Sequence, residues 1–94
     1  MPSFTVRIEL HDASLQDFEN LYSAMIDEGF TDIIKSDTGK QYRMLPAEYD
    51  FDGHLTLEQV LYTAKQAAAK TGKKYAVFVA ESKRRTWAYL EEVK

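Results

Sequence analysis

Three consecutive cations and an indole ring, Lys83-Arg84-Arg85-Thr86-Trp87, follow directly on the apolar run Tyr75-Ala76-Val77-Phe78-Val79-Ala80. Arg and Lys neutralise phosphates, and a Trp ring stacks on an unpaired base for about 1–3 kcal/mol. Lys83, Arg84, Arg85 and Trp87 are therefore the side chains expected to hold a single-stranded nucleic acid. They also fit a structural role, with Trp87 packed into a core or a dimer seam and the cations solvated around it. The second candidate is His11-Asp12, at the end of the first apolar alternation. A histidine titrating near neutrality can take the proton of a ribose 2′-hydroxyl, the first step of RNA cleavage. Asp12 could offer oxygen to a divalent ion, or simply shape the turn. His54, near Asp50 and Asp52, is a weaker version of the same pattern.

Other chemistries are excluded by what is missing. The chain contains no cysteine, so it has no thiol nucleophile, no thiolate zinc site and no disulfide. No glycine-rich phosphate loop, nucleophile elbow or histidine-pair metal motif is present. Neither a metal nor a cofactor is assigned. No segment approaches a membrane span and the first residues carry no leader pattern, so a cytoplasmic protein is the expectation.

Charge is unevenly spread. The whole chain carries a net −3. Residues 1–53 hold four Lys or Arg against eleven Asp or Glu, a net of −7, and residues 54–94 hold eight against four, a net of +4. A local basic site can attract an anion even when the molecule as a whole repels one. The same asymmetry could let two copies pair head to tail.

The elements that must position these residues fall within a single domain of 94 residues with 45% hydrophobic content. Phe4, Val6, Ile8 and Leu10 alternate with polar neighbours, the period of a half-buried strand. Ser14 with Asp17, and Thr56 with Gln59, read as capping boxes that open helices at about 14–28 and 57–71. Gly29 and Gly72 close them. The runs 30–37 and 40–45 flank Thr38-Gly39 as a hairpin, and Pro46 ends its second strand. Residues 47–54, rich in Asp and Gly, read as a loop with Tyr49 and Phe51 packed down. Tyr75–Ala80 is apolar on both faces, which predicts cover on both sides. Residues 86–93 read as either a strand or a short helix.

This order predicts a ferredoxin-like α+β fold, βαββαβ: a four-stranded antiparallel sheet with both helices on one face, followed by a C-terminal tail strand. The other sheet face would be left open, and a second copy of the chain is the simplest cover, which makes a homodimer the expected assembly.

Phe4-Thr5-Val6-Arg7-Ile8-Glu9-Leu10-His11, the glycine hairpin, and Gly72-Lys73-Lys74-Tyr75-Ala76-Val77-Phe78-Val79 running into Glu81–Trp87 resemble small bacterial proteins grouped with GhoS, the antitoxin of a type V toxin–antitoxin pair. The resemblance covers most of the chain in element order and is specific at its two ends. It implies a ferredoxin-like fold, related in shape to the small nuclease-like subunits of CRISPR adaptation. It also implies an endoribonuclease acting on the message of a membrane toxin. No residue role is carried over from that family. The alternative is a non-catalytic homodimeric module that binds a protein or small ligand on its sheet face.

Overall fold

The computed structural model describes residues 2–94. Strand β1 (Ser3–Leu10) is followed by helix α1 (Leu15–Asp27), short strands β2 (Ile33–Lys35) and β3 (Gln41–Arg43), and strand β4 (Glu48–Asp52). Helix α2 (Leu57–Ala69), strand β5 (Tyr75–Ser82) and a two-residue strand β6 (Glu92–Val93) complete the chain. The result is α+β, with two three-stranded antiparallel sheets ordered β4-β1-β5 and β2-β3-β6.

Both helices start where the capping boxes place them. The Ser14 hydroxyl accepts from the Asp17 N–H, and the Asp17 carboxylate accepts from the Ser14 N–H at 2.8 Å. Thr56 and Gln59 make the same reciprocal pair. Helix α1 ends in a Schellman turn, in which Gly29 N–H donates to Ile26 C=O and Phe30 N–H to Met25 C=O, both at 3.0 Å. Gly29 takes φ +94° there, a conformation that costs a residue with a Cβ about 1–2 kcal/mol.

The core lies between the first sheet and the two helices. Phe4, Val6, Ile8 and Leu10 point into it from β1, Leu21 and Met25 from α1, and Val60, Ala64, Ala67 and Ala68 from α2. The alternation read from β1 is borne out, and both helices pack against that one face. The small alanines bring α2 against β5, as their size suggests. The helix stripes are narrower than expected, however. Leu15, Tyr22 and Ile26 of α1 and Leu57 of α2 remain exposed, because each helix meets the sheet along only part of its apolar arc.

Three expectations fail. Residues 48–52 form β4, a five-residue strand paired with β1, and not a loop. Tyr49 is buried as expected, but the aspartates alternate with it because the segment is pleated: Asp50 lies opposite Thr5 and Asp52 opposite Ser3. The hairpin around Gly39 does form, yet its strands are only three residues long and join β6 in a separate sheet in place of extending the first. A single isolated bridge, Thr31 with Asp50, connects that region to the edge of β4. Finally, β5 is not covered on both sides, since Ala76 and Phe78 are exposed. The tail resolves as β6 preceded by an irregular segment.

A Cβ at Gly29 would meet Phe51 at 3.7 Å, an ordinary contact, so only the backbone objects to a larger residue there. Gly29→Ala should lower unfolding stability by about 1–2 kcal/mol without changing the urea m-value. A urea titration followed by circular dichroism checks this.

Candidate nucleic-acid interface

The basic segment leaves β5 at Ser82 and turns across the sheet face that the helices do not occupy. What turns it is Arg85. Its Nη1 donates to Asp50 Oδ1 at 2.6 Å and to Thr5 Oγ1 at 3.2 Å, two residues that face each other across β1 and β4. Asp50 is 3% exposed, and Thr31 pins its strand position from the outer side through two backbone hydrogen bonds. Asp52, next on the same face, accepts from Ser3 Oγ at 2.6 Å. Burial pushes the Asp50 carboxyl up to about 6, and Asp52 adds to the rise, against the downward pull of Arg85.

Arg85 anchors the segment that follows. Trp87 packs against Tyr42 of β3, ring centroids 5.6 Å apart and planes inclined at 60°. Residues Glu91–Val93 then run beside β3, where Arg43 N–H donates to Glu91 C=O and the Arg43 guanidinium reaches Asp32 at 2.8 Å. Ile34 and Met44, both buried, and half-buried Leu90 line, with Thr5, a cavity of about 240 Å³ between this second sheet and the first. The second sheet and the tail thus cover one half of the open face. The other half, Arg7, Glu9, Ala76 and Phe78, stays bare.

Between the hairpin and the basic segment lies a polar cleft of about 540 Å³. Lys35, Ser36 and Asp37 form one wall, Lys83 and Arg84 the other, and Tyr42 with Trp87 its aromatic lining. Lys35, Lys83 and Arg84 are exposed, while Tyr42 and Trp87 are half-buried. Of the four side chains that sequence reasoning assigned to nucleic acid, Lys83, Arg84 and Trp87 present themselves at this cleft. Arg85 lines it too, but its charge is held by Asp50.

His11 and Asp12 are somewhere else. The His11 N–H donates to Lys74 C=O at the start of β5, whereas the basic segment begins after the strand's last residue. Eight residues of extended chain separate the two places, roughly 25 Å. Exposed His11 touches Glu9, with Nε2 3.2 Å from Oε1, and Asp12 takes φ +50° in the turn into α1. Among the described residues no group of three His, Asp or Glu could hold a metal ion, and no helix is long and apolar enough to cross a membrane.

Sequence reasoning missed Lys35 and Tyr42, which the hairpin brings to the cleft, and the structural role of Asp50. The signal for Asp50 was available, since Tyr49-Asp50-Phe51-Asp52 alternates with the period of a strand.

The buried pair has a pH signature. A carboxyl raised from 3.8 to about 6 on folding binds more protons in the folded state, so its contribution to stability falls as pH rises from about 4 to about 6. Asp50→Asn should remove that slope. Arg85→Ala leaves the carboxylate without its cation, a loss of about 3–5 kcal/mol for a fully buried pair. It should therefore destabilise strongly at pH 7.5 and much less at pH 4.5, where Asp50 is neutral. Urea midpoints of the three proteins across this range check both outcomes. No protein-family model matches the sequence and no curated protein matches it, so the functional reading rests on these residues and their geometry.

Proposed function

We propose that this chain is a small RNA-directed protein with a ferredoxin-like fold that holds single-stranded RNA in the cleft between Lys35 and Lys83-Arg84. The fold part of the reading is supported by the strand order β4-β1-β5, by both helices packing on one sheet face, and by the Thr31 bridge beside β4. That bridge stands where the second strand of the ferredoxin-like pattern would pair, shortened here to a single residue.

The observation that carries the functional part is the pairing of Trp87 with Tyr42 inside a cleft whose walls bear exposed cations. Phosphates need charge on flexible, solvated stems, and unpaired bases need flat apolar rings. Duplex RNA keeps its bases stacked on each other and offers little to the two rings, which favours a single strand. Asp37 at the rim opposes binding and limits how many phosphates the cleft can neutralise. A cytoplasmic place belongs to this reading and agrees with the lack of cysteine.

Endoribonuclease activity on a toxin message, which the resemblance to GhoS implies, is a further step. With His11 as base, a bound strand would have to run from the cleft along the bare half of the sheet, past Arg7, to the far end of β5. A mixed RNA pool left intact by wild type, or cut equally by His11→Ala, rules out that route.

One observation favours the alternative of a protein-binding module. Leu15, Phe18 and Tyr22 of α1 face Leu45 and Pro46 across an apolar groove of about 560 Å³, and Leu15 is 77% exposed. A groove of this kind suits an apolar peptide better than RNA.

Fluorescence titration of short single-stranded RNA across a salt series separates the two readings. Lys83→Ala with Arg84→Ala should flatten the log–log salt slope by about 0.7 for each phosphate that is no longer neutralised. Trp87→Ala should cost about 1–3 kcal/mol of binding and leave the slope unchanged, with Trp87→Phe retaining most of the affinity. Circular dichroism confirms that each variant is folded. Wild type without salt-dependent binding refutes the RNA reading in favour of the interaction module.

A further inference from the structure

Strand β5 is the outer strand of the first sheet, eight residues long and apolar through most of its length. On its inner side it pairs with β1 over its full length, Tyr75 opposite Leu10 through to Ser82 opposite Ser3. The hydrogen bond from His11 N–H to Lys74 C=O fixes which residues direct their backbone inwards. In an antiparallel ladder this alternates strictly, so Lys74, Ala76, Phe78 and Ala80 face β1. The N–H and C=O groups of Tyr75, Val77, Val79 and Glu81 then face outwards. None of the described strands pairs with that edge. Proteins usually blunt such an edge with a bulge, a proline or an inward charge, and β5 has none of these before Glu81.

The geometry points to a second copy of this chain on the outer edge of β5, the two strands running antiparallel about a twofold axis at Val77. Charge favours this register over those shifted toward the C-terminal end of the strand. With the axis at Val77, Lys73 lies opposite Glu81 of the other copy, twice by symmetry, and Tyr75 lies opposite Val79. Tyr75, Val77, Val79 and Glu81 have outward-facing backbone, so the ladder closes over β5, and Lys73, just before the strand with its N–H bonded to Thr71 Oγ1, contributes only its side-chain charge. Moving the axis one residue to Phe78 sets Lys73 against Lys83. Moving it to Val79 brings Lys74 towards Arg84. Like charges directly opposite are destabilising, so both registers are disfavoured. With the axis at Phe78 the Phe side chain would also meet only its own copy, whereas at Val77 it lies across from Ala76.

That pairing accounts for the bare half of the sheet. Phe78 is 63% exposed, and its only same-face neighbour across β1 is Arg7. In the dimer it packs over the small Ala76 of the other copy. Lys73 is already 3.7 Å from Asp17, so its ammonium would be shared between that carboxylate and Glu81 of the other copy. Trp87 packs against Tyr42 and takes no part in the proposed seam. The proposal does not depend on RNA binding, because the residues of the seam, Lys73 to Glu81, are not among those that line the cleft.

The chain has no cysteine, so a single introduced thiol reports the register cleanly. Residues facing each other in a hydrogen-bonded antiparallel pair have Cα atoms about 5.5 Å apart, within disulfide reach. Val77→Cys should therefore give a disulfide-linked dimer under mild oxidation, and Val79→Cys should not. Sedimentation velocity should show a dimer of wild type at micromolar concentration. Lys73→Glu or Glu81→Lys alone should weaken it roughly tenfold, and the two together should restore it. Wild type that remains monomeric at high micromolar concentration overturns the proposal. So does preferential cross-linking through Val79→Cys, or a double charge reversal that fails to restore the dimer.

Discussion

Asp50 stands in the middle of β4 with 4% of its side chain exposed, and the cation that answers it comes from 35 positions further along the chain. A carboxylate taken out of water costs several kcal/mol unless a partner with good geometry replaces the lost solvation. Arg85 provides that replacement and extends its reach to Thr5 as well. The two halves of the molecule meet through this contact. It fixes the exit direction of the chain after β5, sets Trp87 beside Tyr42, and delivers Glu92-Val93 to β3. Without it the second sheet would hang from the first by the connections at residues 28–32 and 44–47 and the single bridge at Thr31.

That arrangement also sorts the cations. Arg85, the least exposed of the three consecutive basic residues, is neutralised internally, while Lys83 and Arg84 are exposed. A run of like charges is commonly a solvated surface with no particular geometry. Here one member is fixed, and its neighbours gain a defined direction relative to Lys35 across the cleft. Lys35, Lys83 and Arg84 outnumber Asp37 in the cleft lining, which lets a protein of net −3 present a local positive wall.

The sequence was most legible where short-range rules act alone. Ser14, Asp17, Thr56 and Gln59 are within three residues of their partners, and each behaves as its type dictates. Phe4 through Leu10 could be assigned a buried face from alternation only. Legibility declined where a distant partner decides. Asp50 and Asp52 are poor strand residues by propensity, which outweighs the alternation of Tyr49-Asp50-Phe51-Asp52, and Arg85 and Ser3 are the distant partners that hold them in the strand. The tail was undecided between strand and helix because its conformation depends on a two-residue pairing with β3. The cleft followed the same division. Lys83, Arg84 and Trp87 stood out as a linear cluster, but Lys35 and Tyr42 carry no local signal and join it only through the hairpin.

Because the two walls of the cleft belong to different sheets, the cleft has a stability of its own. Strands of two and three residues form few ladder hydrogen bonds and, apart from Ile34 and adjoining Met44, bury little apolar area, so the second sheet is expected to open at lower cost than the core between β1, α1 and α2. Any ligand that needs both walls meets a competent receptor only in the closed fraction of molecules, and its apparent affinity is reduced by that fraction. Occupancy in turn would draw the population closed. A sheet this small is a poor clamp by itself, and its weakness makes the cleft's occupancy and its closure one coupled event.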